Sequence, residues 1–90
     1  MKILKFSAEW CSPCRMLSAQ LSKYNGYDIL NYDFSENENE FNKFNVKNIP
    51  TLIIVNDENL ELDRKTGSIT LEQFEEWLKK IENEKLDISK

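Results

Sequence analysis

The sequence predicts a single α/β domain built in the order β-α-β-α-β-β-α, with a four-stranded mixed sheet flanked by helices. Short apolar segments alternate with amphipathic ones, the pattern of β-α-β units. Thr51-Leu52-Ile53-Ile54-Val55 is an almost continuous apolar run, as expected of a strand covered on both faces. A β-α-β start requires a parallel, right-handed crossover, while a closing hairpin adds antiparallel strands.

Lys2-Ile3-Leu4-Lys5-Phe6-Ser7 forms the first predicted strand. Pro13 to Tyr24 is the first helix, with Pro13 in its first turn, where a missing N–H costs nothing. Cys14, Leu17, Leu21 and Tyr24 share one face of it, and Asn25-Gly26 offers a C-terminal stop. Residues 28–33 are the second strand. Ser35 with Glu38 has the spacing of a capping box and opens a short helix carrying Phe41 and Phe44. After the buried strand, Asn56-Asp57-Glu58-Asn59 is a turn, and Leu60 to Lys65 returns as a charged edge strand. Thr70 with Gln73 is a second capping box. It opens the last helix, where Leu71, Phe74, Trp77, Leu78 and Ile81 line one face. Residues from about Glu84 to Lys90 are expected to fray.

Ninety residues are enough for one core and too few for two. Hydrophobic residues make up 40 % and charged residues 31 %, an ordinary globular balance. The net charge of −4 argues against a nucleic-acid partner, which would require a basic face. No stretch approaches the ~20 apolar residues of a membrane span. Met1-Lys2-Ile3-Leu4-Lys5-Phe6 carries charges where a signal peptide has its apolar region, so a cytoplasmic, reducing location is expected; the chain is also expected to be a monomer.

The chemistry concentrates in Trp10-Cys11-Ser12-Pro13-Cys14, at the junction of the first strand and the first helix. The two cysteines are the only ones in the chain, so they form one pair. A thiolate is the reactive form, and a helix N-terminus offers it unpaired N–H groups and positive potential. The helix dipole contributes about 0.3–1 kcal/mol, whereas one pKa unit requires about 1.36 kcal/mol, so hydrogen bonds must supply the rest. Cys11 is expected at the exposed mouth of the turn as the nucleophile. Cys14, one turn inside on the apolar face, is expected to resolve the mixed disulfide. With no histidine in the chain, the two cysteines cannot complete a tetrahedral metal shell in a monomer, so no metal or other cofactor is expected.

Phe6-Ser7-Ala8-Glu9-Trp10-Cys11-Ser12-Pro13-Cys14 resembles the F-x-A-x-W-C-x-P-C active-site segment of the thioredoxin family, and Ile49-Pro50-Thr51 resembles its I-P-T signature. Gly67 before the capped last helix resembles the family's carboxyl-terminal segment. The resemblance covers residues 2 to about 82. It implies a thioredoxin-like fold and a redox-active Cys11–Cys14 disulfide whose dithiol form passes electrons to disulfide-containing protein substrates. It also implies a cis Pro50 beside the cysteines, which Trp10 and Pro13 support. Trp10, Ile49, Pro50 and Thr51 would contact substrate, with the backbone of Ile49 pairing with an extended strand. The reductant would be a thioredoxin-reductase-type flavoprotein or glutathione. The chain departs from the family in three ways. Its first strand begins at once, making it a minimal, glutaredoxin-sized version. Lys5 stands where the family keeps a buried Asp, and Asn31 where a Lys often faces it. Lys5 either snorkels outward or places a cation near Cys14 that favours its thiolate. A glutaredoxin-like, glutathione-dependent enzyme is the alternative. Against it stand Ser-Pro between the cysteines and the lack of a Gly-Gly pair in the second half. A non-catalytic thioredoxin-fold binding subunit is a third possibility, which the intact Cys11 and Cys14 disfavour.

Overall fold

The computed structural model describes residues 1–86. Strands β1 (Lys2–Ser7), β2 (Ile29–Asp33), β3 (Thr51–Val55) and β4 (Glu61–Thr66) form one sheet in the order β2-β1-β3-β4. β1 pairs parallel with β2 and antiparallel with β3, and β3 pairs antiparallel with β4. The mixed sheet follows from this chain order: the long crossover through α1 (Ser12–Leu21) permits the parallel pair, and the turn at 56–59 permits the hairpin. Within that turn the Asn56 side chain accepts the N–H groups of Glu58 and Leu60.

β1 and β3 are the interior strands, and every residue of β3 is buried. Alternation divides their side chains between two cores. Ile3, Leu52 and Ile54 pack with Leu17 and Leu21 of α1 and with Phe74, Trp77, Leu78 and Ile81 of α3 (Leu71–Ile81). Leu4, Phe6, Ile53 and Val55 pack on the opposite face with Phe41 of α2 (Glu38–Lys43). Phe6 anchors that second core, stacking on Tyr32 at 5.2 Å and meeting Phe41 edge-on at 5.0 Å. Such aromatic pairs stabilise by about 0.5–1.5 kcal/mol beyond area burial.

The last helix starts as its sequence dictates: Thr70 Oγ1 accepts the Gln73 N–H at 3.1 Å, and Gln73 Oε1 accepts the Thr70 N–H at 2.9 Å. Three boundaries differ from expectation. α1 ends at Leu21 rather than Tyr24, because the Ser22 hydroxyl donates to the Ala19 carbonyl and diverts the ladder. Gly26 therefore terminates no helix; it makes room for the Tyr24 hydroxyl, which a Cβ at that position would meet at 2.4 Å. Ser35 caps nothing. Its N–H and hydroxyl both donate to the Asp33 carboxylate, a local turn that leaves Asn37 before α2 without a side-chain cap. Past α3 the chain continues in a wider helical turn, Glu82–Leu86; the rest of the expected tail, 87–90, lies outside the described residues.

Candidate active site

Because β1 and β2 are parallel and β3 runs against β1, the loops after β1, after β2 and before β3 meet at one end of the sheet. Cys11 and Cys14 lie in the first of these and are joined by a disulfide, with their Cα atoms 5.2 Å apart. Cys11 is the N-cap of α1. Its backbone is extended, and its Sγ accepts the N–H of Cys14 at 3.2 Å. Proline in the first turn removes an N–H that the helix could not have satisfied. The outer sulfur therefore stands where helix amides and dipole favour negative charge.

Cys11 does not sit at an exposed mouth, as the sequence suggested. It is 6 % exposed, close to the 3 % of Cys14. Ala8, Cys11 and Cys14 form one buried cluster at the helix end, and Ile49 packs against it. Its neighbours carry the exposure instead, Trp10 at 72 % above all.

The Ile49–Pro50 peptide bond is cis. Pro50 and Thr51 are buried, and Thr51 Oγ1 donates to the Asn48 carbonyl at 2.6 Å, bracing the loop from inside. The Pro50 carbonyl accepts the Gly67 N–H at 2.8 Å. Gly67 has φ +98°, a conformation that glycine adopts without strain, so this contact ties the β4 exit to the site. Of the segment 49–51, Ile49 reaches the surface cavity beside Trp10. That cavity, about 210 Å³, is lined by Trp10, Phe34, Phe41, Val46, Lys47 and Ile49.

A second cavity of about 300 Å³ reaches the inner cysteine, lined by Ser7, Ala8, Glu9, Cys14, Arg15, Ser18 and Asp33. Arg15 spans its rim, donating to the Glu9 carbonyl at 2.7 Å and to the Ser12 hydroxyl at 3.0 Å, and so fastens the loop that carries Cys11. Below it, Lys5 Nζ donates to Ser18 Oγ at 2.5 Å. Lys5 is therefore tied to α1, and burial pushes its pKa below the usual lysine value. Asn31 lies beside Lys5 in the β1–β2 register and is exposed. A cavity of about 500 Å³ between Tyr24, Tyr27 and α3 contains no thiol, so the cavities beside Trp10 and Cys14 are the candidates for chemistry.

The structure thus packs Ile49 against Cys11 and Cys14 and sets it with Trp10 in the neighbouring cavity, with Pro50 next to Ile49 in the chain. It adds Phe34, Val46, Lys47, Arg15 and Ser18, which the sequence did not single out. Phe34 had a signal: a lone aromatic in a polar stretch directly after a strand. Arg15 follows Cys14 at once. Val46, Lys47 and Ser18 carried none, because only the fold sets Ser18 in a cavity with Cys14 and the other two in a cavity with Trp10. Among the described residues there is no group of three or more His, Cys, Asp or Glu arranged to hold a metal ion.

A family model described as Thioredoxin matches residues 1–80. A thioredoxin of Staphylococcus aureus is 35 % identical over 85 residues, covering 89 % of this chain and 81 % of that protein. Thioredoxin C-3 of Corynebacterium nephridii is 36 % identical over 75 residues, 79 % of this chain and 51 % of that protein. The chain spans about half of the latter's length and 60 % of a Staphylococcus haemolyticus thioredoxin. Among solved structures, a malaria-parasite thioredoxin-2, described as a component of protein secretion machinery, superposes with a TM-score of 0.79. It is 31 % identical, and the match covers 87 % of this chain and 80 % of that one.

Proposed function

We propose that this chain, which belongs to the thioredoxin family, is a thiol–disulfide oxidoreductase that reduces protein disulfides through Cys11 and Cys14. The observation that carries this is the Cys11–Cys14 disulfide at the N-terminus of α1, with Cys11 Sγ accepting the Cys14 N–H. That contact favours a thiolate on the outer sulfur once the pair is reduced.

In the dithiol form the Cys11 thiolate attacks one sulfur of the substrate disulfide. A Cys11–substrate disulfide forms, and the other substrate sulfur leaves as a thiolate and takes up a proton. Cys14 then loses its proton and attacks Cys11 Sγ. The Cys11–Cys14 disulfide forms, and the second substrate sulfur leaves and is protonated. Two electrons have passed to the substrate, leaving the enzyme in the form seen here. Trp10 and Ile49 would form the apolar platform for the substrate, with the backbone of Ile49 pairing with an extended substrate strand. Pro50 has neither an N–H nor a ligating side chain, and so keeps the approach to the sulfurs free of competing donors. A thioredoxin-reductase-type flavoprotein or glutathione would return the electrons. A reducing compartment such as the cytoplasm suits that cycle, and no helix among the described residues is long and apolar enough to cross a membrane.

The test is dithiothreitol-driven reduction of insulin, read as precipitation of the freed chain. Acceleration over dithiothreitol alone is expected. Cys14→Ser should accumulate a mixed disulfide through Cys11, and Cys11→Ser should not. No acceleration would dismiss the activity, and the reverse trapping pattern would dismiss the order of attack.

A further inference from the structure

We propose that the Lys5 ammonium, held by Ser18 one helical turn from Cys14, is the counter-charge for the Cys14 thiolate in the resolving step; this rests on the assignment of Cys14 as the resolving thiol. Lys5 lies in the middle of an interior strand, between Asn31 of β2 and Leu52 of β3. Its side chain falls on the α1 face, since Ile3, two residues earlier, packs with Leu17 and Leu21. The hydrogen bond to Ser18 fixes the ammonium against α1. Cys14 and Ser18 are four residues apart on that helix, which puts their Cβ atoms about 5–6 Å apart. Both line the same cavity.

A lysine in such a place has two ways to lower its energy: carry the charge into water or meet an anion. The stem of Lys5 is half-buried, which lowers its pKa, and its ammonium ends on the hydroxyl of Ser18, an exposed residue of α1. The ion pairs among the described residues are Met1–Asp57 and Glu61–Arg64, and among those residues no carboxylate is paired with Lys5. The reaction itself creates an anion close by, the thiolate of Cys14.

The other charged groups around Cys14 are already engaged or lie at the rim. Asp33, at the end of β2, accepts the N–H and hydroxyl of Ser35. Arg15 holds the Glu9 carbonyl and Ser12, and Glu9 itself is exposed in the loop. β3 and α3 present the apolar Leu52, Ile54, Phe74 and Leu78 to the same core. Lys5 is thus the half-buried charge on the sheet side of Cys14. When Cys14 releases its proton to solvent, the ammonium stabilises the thiolate against the thiol. The thiolate then attacks Cys11 Sγ and breaks the bond between Cys11 and the substrate sulfur, which leaves with the electron pair.

The resolving step can be isolated by adding one equivalent of 5,5′-dithiobis(2-nitrobenzoate) to the reduced protein. The first nitrothiolate released reports attack by Cys11; the second reports attack by Cys14 on the adduct. The rate of the second release is followed against pH for the native chain, Lys5→Met, Lys5→Arg and Ser18→Ala, with thermal unfolding of each. Lys5→Met is expected to move the midpoint up by about one pH unit and slow the second release about tenfold at neutral pH. Lys5→Arg should keep the native profile, and Ser18→Ala should give a smaller upward shift. A Lys5→Met profile that superimposes on the native one overturns the proposal. If that variant does not fold, an unchanged Ser18→Ala profile overturns it instead. A native chain that releases no second equivalent removes the assignment of Cys14 itself, a result distinct from an unchanged profile.

Discussion

Phe34 tests whether the cavity beside Trp10 is where a protein substrate lies. It is 52 % exposed and meets Phe41 edge-on at 5.4 Å. A phenylalanine side chain presents about 200 Å², so about half of that, roughly 100 Å², is open for a partner to cover. At ~25 cal/mol per Å² complete coverage would contribute about 2.5 kcal/mol. Ordering of the partner and imperfect coverage reduce that to about 1–1.4 kcal/mol, a factor of about five to ten in affinity. Phe34→Ser removes the ring and leaves the sulfurs and the helix end untouched. The expected result is a five- to tenfold rise in KM for insulin with little change in kcat. The rate with 5,5′-dithiobis(2-nitrobenzoate), a disulfide too small to span the cavity and the cysteines together, should stay near native. An unchanged KM for insulin would remove Phe34 from the binding surface. An equal loss on both disulfides would mean that the substitution disturbs the cysteines instead.

Thr70→Ala breaks one half of the reciprocal cap on α3 and should cost about 1 kcal/mol, lowering the melting temperature by ~4–8 °C in calorimetry. An unchanged melting temperature would mean that the Gln73 side chain suffices alone. Tyr27 donates its hydroxyl to Glu82, and that bond, with burial and the Glu82 charge adding to it, holds the phenol pKa up to about 12. A group whose folded pKa is raised contributes stability that is full below its unfolded value near 10 and is lost as pH climbs through about 12. The difference in urea midpoint between the native chain and Tyr27→Phe should therefore be constant below pH 10 and shrink above it; a difference independent of pH would exclude the bond as its cause.

Periodicity read the sheet well because its signals are local and strong. The run Thr51–Val55 has no polar face, and β3 is buried along its whole length. The cap at Thr70 was legible because both partners lie within one turn and no neighbour competes for them. The same spacing at Ser35 and Glu38 failed because Asp33, two residues upstream, captures the serine first. The exposed position expected for Cys11 failed for a related reason. A helix-start position implies solvent only if nothing folds over it, and Ile49, 38 residues away in sequence, does. The cysteine pair was legible as chemistry from five consecutive residues. The cavity on its flank was not, since Phe34, Val46 and Lys47 contribute from two other loops.

Those loops converge for a topological reason that also limits where a redox site can form in this sheet. β1 and β2 end, and β3 begins, at the same edge, so Ser7 pairs with Asp33 while Phe6 pairs with Thr51. The exit of β4 joins them through Gly67 and Pro50. At the opposite edge the β3–β4 connection is a tight turn closed by the Asn56 side chain. A helix N-terminus aimed at an open loop cluster occurs only at the first edge, where α1 follows β1 directly. The disulfide therefore stands at a junction that sets a helix-end amide against Cys11 Sγ and, on the proposal above, would also set a sheet-borne cation beside Cys14. Moving the cysteines one turn further into α1 would forfeit the first, because interior N–H groups already serve the helix ladder.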